Sequence, residues 1–101
     1  MQPDISFIAS LIGDTKRARM LTALMGGKAL TATELALEAD ITAQTASSHL
    51  NKLVSGQLLV VRKQGRHKYF QLHGQDIAQI LETLLQLSAQ LPHANIATGP
   101  T

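Results

Sequence analysis

The 101-residue sequence contains no cysteine, which excludes disulfides, thiol chemistry and thiolate metal sites. Aromatic residues are almost missing: Phe7, Tyr69 and Phe70 are the whole set, without tryptophan. The core must therefore be built from Leu, Ile, Val, Ala and Met, as suits packed helices. No apolar run reaches the roughly 20 residues that a membrane-spanning helix needs, and the N-terminus lacks the order of a signal peptide. A cytoplasmic protein with no membrane partner is expected. No glycine-rich phosphate loop occurs, nor a Ser, His and acid arrangement that the sequence places together, so an enzyme has little support. Asp76 and Glu82 are more simply solubility and capping residues. The length allows one domain with a single core, expected over residues 1–91, and the aperiodic residues 92–101 read as a loose tail.

Acidic residues are absent from one long stretch. Between Ile41 and Gln75 there is no Asp or Glu, whereas Lys52, Arg62, Lys63, Arg66 and Lys68 occur there with His49, His67 and His73. Five basic residues make this stretch +5, and four basic against seven acidic residues make the remainder −3, in keeping with the overall +2. A charge run alone is usually a solvated face. A one-sign patch on a nearly neutral chain, coinciding with a helix of the kind described next, reads as a footprint for phosphate.

That helix is expected over residues 42–55. Ala46, Leu50 and Leu53 fall on one face at helical spacing, leaving Gln44, Thr45, Ser48, Asn51 and Lys52 on another. The second face is polar yet almost uncharged. A solvated helix would carry Glu and Lys, since Ser, Thr and Asn are mediocre helix formers. Small hydroxyl and amide groups suit the edges of bases in a major groove. Before it, Leu30-Thr31-Ala32-Thr33-Glu34-Leu35 has the form of a capping box, so another helix should start at Thr31 and run to about Ala39. Asp40-Ile41-Thr42 then makes a short turn in which Thr42 caps the second helix. The pair follows the helix-turn-helix plan.

Upstream, a helix is expected from about Asp4 to Ile12, with Ile5, Ile8, Leu11 and Ile12 recurring and Phe7 lying off that face. Gly13 breaks it, and Asp14 caps a second helix whose buried face is Ala18, Leu21, Leu24 and Met25, with Lys16, Arg17 and Arg19 facing out or sideways. Downstream, Ser55-Gly56 is a stop signal. The strand formers of Leu58-Leu59-Val60-Val61-Arg62 and Lys68-Tyr69-Phe70-Gln71-Leu72 flank a turn at Lys63-Gln64-Gly65-Arg66-His67, a β-hairpin with a basic tip. The tip suits flanking backbone or minor groove, although an edge hairpin protected by its own charges would look the same. From Gln75 to about Leu91 the chain is helical again, with Ile77, Ile80, Leu81, Leu84, Leu87, Ser88 and Leu91 on one side and Leu85 beside them. Such a helix either wraps over its own core or pairs with its copy; the dimer seam is preferred.

The order of elements, α-α-α-α-β-β-α, and the wording of the motifs resemble the ArsR family of bacterial winged helix-turn-helix regulators from Ile12 to Leu87. The matching phrases are Gly13-Asp14-Thr15-Lys16-Arg17-Ala18-Arg19-Met20-Leu21, Thr33-Glu34-Leu35-Ala36, Gln44-Thr45-Ala46-Ser47-Ser48-His49-Leu50-Asn51-Lys52-Leu53, and Gln64-Gly65-Arg66-His67-Lys68-Tyr69-Phe70-Gln71-Leu72. The resemblance implies a mainly α winged helix-turn-helix fold. It also implies a homodimer, joined through Ile5 and Ile8 of the first helix and Ile77, Ile80, Leu81, Leu84 and Leu87 of the last, that binds an inverted repeat and blocks transcription. Metal-sensing members carry a Cys-x-Cys pair where Ala36 and Glu38 stand here, or Asp and His ligands on the last helix, which has no His between Gln75 and Pro92. A metal cofactor is therefore not expected. His49 stands at the family's usual His before Leu, where packing or a phosphate contact is implied, while His73 and His93 read as incidental. The branch with the closest wing wording often continues past this last helix, leaving room for a further segment.

Double-stranded DNA is the expected partner. Gln44, Thr45, Ser47 and Ser48 would meet bases, with Ser47 angled nearest the buried side, and His49, Lys52, Arg62, Lys63, Arg66 and Lys68 would hold phosphates or enter the minor groove. The alternative is a winged-helix module that binds another protein, against which the acid-free basic patch argues.

Overall fold

A computed structural model describes residues 2–92. The expected tail and His93 lie outside the described residues, apart from Pro92. Five helices and a hairpin follow in the order α1 (Ile5–Ile12), α2 (Thr15–Ala23), α3 (Ala32–Ala39), α4 (Ala43–Ser55), β1 (Leu59–Gln64), β2 (His67–Leu72) and α5 (Gln75–Gln90).

Short polar side chains start the first four helices. Asp4 Oδ1 accepts from the Ser6 amide at 2.9 Å, and Asp14 Oδ2 accepts from the Lys16 and Arg17 amides at 3.0 Å. Thr31 Oγ1 accepts from the Glu34 amide at 3.2 Å while the Thr31 amide donates to Glu34 Oε1 at 2.9 Å, the capping box written in the sequence. Thr42 Oγ1 accepts from the Thr45 amide at 3.1 Å. Only two residues separate α1 from α2. A Cβ at Gly13 would lie 2.9 Å from the Ala9 carbonyl oxygen, so the turn needs glycine for space rather than for dihedral freedom. Between α3 and α4, Asp40 adopts φ +57°, a left-handed conformation that Asp tolerates better than most residues, and this reverses the chain within three residues.

The core contains no polar side chain among the described residues. Met20, Leu21, Leu24, Leu35, Leu50, Leu53, Leu58 and Leu59 are fully buried, with Leu11, Ala36, Ala39, Ala46, Phe70 and Leu81 beside them. Two expectations change here. On α2 the buried stripe includes Met20, which packs as α2 lies against both α1 and α3, whereas Ala18 is only half-buried, as is Met25 two residues beyond the helix end. Leu81, assigned to a dimer seam, is the one α5 side chain inside the protomer's own core, and Ile77 is half-buried against it.

The hairpin strands run further toward the tip than their composition predicts. Gln64 pairs with His67, which reduces the turn to Gly65-Arg66. Gly65 has φ +65° and Arg66 does not share the positive sign, the pattern of a type II′ hairpin turn. The wing is joined to the helices through Leu30, whose amide donates to the Phe70 carbonyl at 3.1 Å and whose carbonyl accepts from the Phe70 amide at 2.8 Å.

Leu50→Ala should destabilise the chain by about 2–5 kcal/mol, since it deletes a fully buried side chain from the centre of the core. Urea unfolding checks this, and a loss under about 1 kcal/mol would mean that α4 is not anchored through Leu50. The Asp14 carboxyl lies below its ordinary value of 3.8, mainly because it accepts from the Arg17 amide and also because the Arg17 charge is near. Its folded value being the lower one, the stabilisation is present above about pH 4 and is lost as pH falls through that folded value. Asp14→Asn keeps a capping oxygen and should flatten the decline of stability below about pH 4. An unchanged acid profile would remove Asp14 from that transition.

Candidate nucleic-acid interface

Burial of Ala46, Leu50 and Leu53 turns the opposite face of α4 outward, and Gln44, Thr45, Ser48, Asn51 and Lys52 are all exposed on it. The Thr45 hydroxyl accepts from Thr42 Oγ1 at 2.9 Å, which leaves its own proton free to donate. Ser47, expected near the buried side, is exposed too. It faces the wing across a groove lined by Ser47 and Asn51 on one side, Arg66, His67, Lys68 and Phe70 on the other, and Thr31, Ala32 and Thr33 at the start of α3. The polar face of α4 and the wing tip thus border one continuous depression.

His49 departs from its expected phosphate contact. Its side chain is 19% exposed and turns toward α2, where Nδ1 is 3.0 Å from Arg17 Nη1 and Nε2 is 4.0 Å from Asp14 Oδ2. Both ring nitrogens face protein groups. Of the two readings open for this residue, packing is the one its geometry matches.

The wing cations do not form a single face. Side chains alternate along a strand, so Lys63 and Lys68, directly opposite each other in the register, lie on the side of Phe70, while Arg62 lies opposite Tyr69 on the other side. Like charges directly across an antiparallel pair repel. An anion between Lys63 and Lys68 would relieve that repulsion. Arg66 sits in the turn itself and is exposed, as are the other three.

Three side chains have roles that the sequence did not reveal. Lys16 Nζ donates to the Ala39 carbonyl at 3.1 Å, closing the end of α3. Arg17, expected to face out or sideways, folds back onto the end of α1, where Nε donates to the Leu11 carbonyl at 2.8 Å and Nη2 to that of Ser10 at 3.1 Å. His73, read as incidental, donates from Nδ1 to the Gln57 carbonyl at 3.0 Å, while its amide donates to the Leu58 carbonyl, so it ties the two ends of the hairpin. Cations two and three residues beyond an N-cap aspartate carry no periodic signal for such contacts. Among the described residues no group of three His, Cys, Asp or Glu side chains is placed to hold a metal ion.

Residues 12–62 match the helix-turn-helix domain family. Over 88 residues, 87% of its length, the chain is 46% identical to the uncharacterized HTH-type transcriptional regulator YdfF of Bacillus subtilis (strain 168), and it spans 39% of that relative's length. Among solved structures it resembles the homodimeric winged helix-turn-helix DNA-binding domain of a possible ArsR-family transcriptional regulator from Mycobacterium bovis, at 26% identity and TM-score 0.73, covering 84% of this chain and 77% of that one. It also resembles the cadmium metal-sensor CMTR from Mycobacterium tuberculosis, at 28% identity and TM-score 0.67, covering 80% and 83%. The Bacillus relative is a transcriptional regulator and the Mycobacterium bovis domain comes from a possible one. With its outward polar helix and two-stranded wing, the chain belongs to the helix-turn-helix domain family, in the winged form found in ArsR-type regulators.

Proposed function

We propose that this chain is a sequence-specific DNA-binding repressor that works as a homodimer on an inverted repeat, with α4 in the major groove and the wing on flanking backbone or minor groove. The observation that carries the reading is the uncharged polar face of α4, held outward by three fully buried neighbours and bordered by cations, in a stretch without a single acid. Gln44, Thr45, Ser47 and Ser48 meet base edges, and Lys52, Lys63, Arg66 and Lys68 hold phosphates, with Arg62 on the far side of the wing reaching separate backbone. A regulator of this kind acts in the cytoplasm, where its DNA is.

The dimer is supported by apolar surface that one protomer leaves open. Ile5 is 83% exposed on α1, with Phe7 and Ile8 beside it, and Ile80, Leu84, Leu85 and Leu87 are 40–49% exposed on α5. Two helices with clustered apolar side chains in water call for a cover, and a second copy supplies the matching face. The seam therefore comprises Ile5, Ile8, Ile80, Leu84 and Leu87, with Leu81 and Ile77 behind it as support. Two-fold pairing presents two copies of α4, from which reading of an inverted repeat follows. No metal is needed.

Binding to the DNA upstream of the chain's own gene and to a scrambled duplex, each at two salt concentrations, tests this reading. Tight, steeply salt-dependent preference for the upstream DNA is expected; weak, equal binding to both would instead favour a protein partner. Replacing Arg66 and Lys68 with Gln should weaken binding to both duplexes and lower the salt slope by roughly 0.9 for each phosphate no longer neutralised. Gln44→Ala or Ser48→Ala should cost about 1–3 kcal/mol on the preferred site alone. Leu84→Lys should give monomers in sedimentation, and a variant that stays dimeric would remove α5 from the seam.

A further inference from the structure

The first turn of α2 makes contacts that neither the core nor the outward face of α4 accounts for. Two arms of the Arg17 guanidinium satisfy the Leu11 and Ser10 carbonyls in the last turn of α1, where helical amides run out. The third arm, Nη1, is 3.0 Å from Nδ1 of His49, 32 residues further on and in the middle of α4. A guanidinium only donates, so Nδ1 accepts, and the ring proton sits on Nε2, facing the Asp14 carboxylate at 4.0 Å. One side chain therefore joins the end of α1 to the centre of α4.

Outside the core, little else joins them. Leu11 touches Gly56 so closely that a Cβ there would collide with its Cδ1, and elsewhere α1 and α4 face each other across an open cleft lined by Phe7, Leu11, Asn51, Lys52 and Ser55. Outside the core that Leu11 shares with Leu50 and Leu53, α1 and α4 are thus tied at two points, a packing contact near the end of α4 and the Arg17 bridge at its middle. Because α1 leaves Ile5, Phe7 and Ile8 exposed, it is also a helix that a second copy would reseat.

We infer that Arg17 is a positioning residue for α4, which through His49 makes the aim of the reader helix follow the seat of α1. The inference rests on the reading of α4 as the DNA-contacting helix. Arg17 and His49 need not touch DNA. Lysine at position 17 keeps the charge but replaces a three-armed fork with a single ammonium. Asn at position 49 offers an oxygen in place of Nδ1, whereas Leu offers nothing.

Arg17→Lys, His49→Leu and His49→Asn are compared in two measurements, after circular dichroism has matched their helical content to the parent chain. On upstream and scrambled duplexes across a salt series, R17K and H49L should each lose about tenfold in preference for the upstream site with an unchanged salt slope, and H49N should stay within about twofold of the parent. In the DNA-free protein, H49L, a change on α4, should speed amide exchange in the last turn of α1, and H49N should restore it. A salt slope lowered by about 0.9 in H49L or R17K would make these residues phosphate contacts and overturn the inference. Unchanged exchange in α1 would overturn it as well. If the parent chain did not distinguish the two duplexes while H49L still loosened α1, the bridge would stand and the DNA reading would fall.

Discussion

What α4 can offer a partner depends on the complete burial of Ala46, Leu50 and Leu53. Thr45, Ser47, Ser48 and Asn51 are poor helix formers, and a thirteen-residue segment of this composition would be marginal alone. Burying each leucine contributes about 1.5–3 kcal/mol, enough to outweigh those propensities. Because successive residues are turned by a fixed angle, fixing the buried stripe fixes the direction of every other side chain. The anchor that stabilises the helix thus also aims its polar face. Caps at Thr42 and Gly56 set its length.

A reader helix needs neighbours at fixed distances, and the fold supplies them through a few backbone and side-chain ties. Pairing of Leu30 with Phe70 fastens the wing to the start of α3, whose Thr31, Ala32 and Thr33 line the same groove as Ser47 and Lys68. Lys16 closes α3, Arg17 closes α1 and reaches α4, and Asp14 caps the helix that carries both. Three helix ends therefore meet at one turn. The exposed apolar side chains of α5 lie away from this network, whereas Phe7 of α1 borders the outward face of α4 beside Asn51 and Lys52.

Much of this was legible in the sequence because it is local. The capping box at Thr31, the Asp14 and Thr42 caps, the buried stripe of α4 and the hairpin turn at Gly65 are each written within about seven residues, and each is found in place. What escaped is long-range. Periodicity places Arg17 on a flank but cannot show that a long flexible side chain folds back to two carbonyls and an imidazole 32 residues away. It gives Leu81 and Leu84 the same face of α5, yet one is buried in the protomer and the other is 40% exposed, a division that depends on how α5 leans on the hairpin. Likewise the wing reads as one basic cluster, and only the register separates Arg62 from Lys63 and Lys68.

Titrating the chain with its upstream duplex, while following backbone amide resonances residue by residue, decides whether α4 and the wing are what meets DNA. The largest changes should fall on Gln44, Ser48, Arg66 and Lys68, with α5 around Ile80 and Leu84 little affected. Changes confined to α5, with α4 and the wing unmoved, would contradict this.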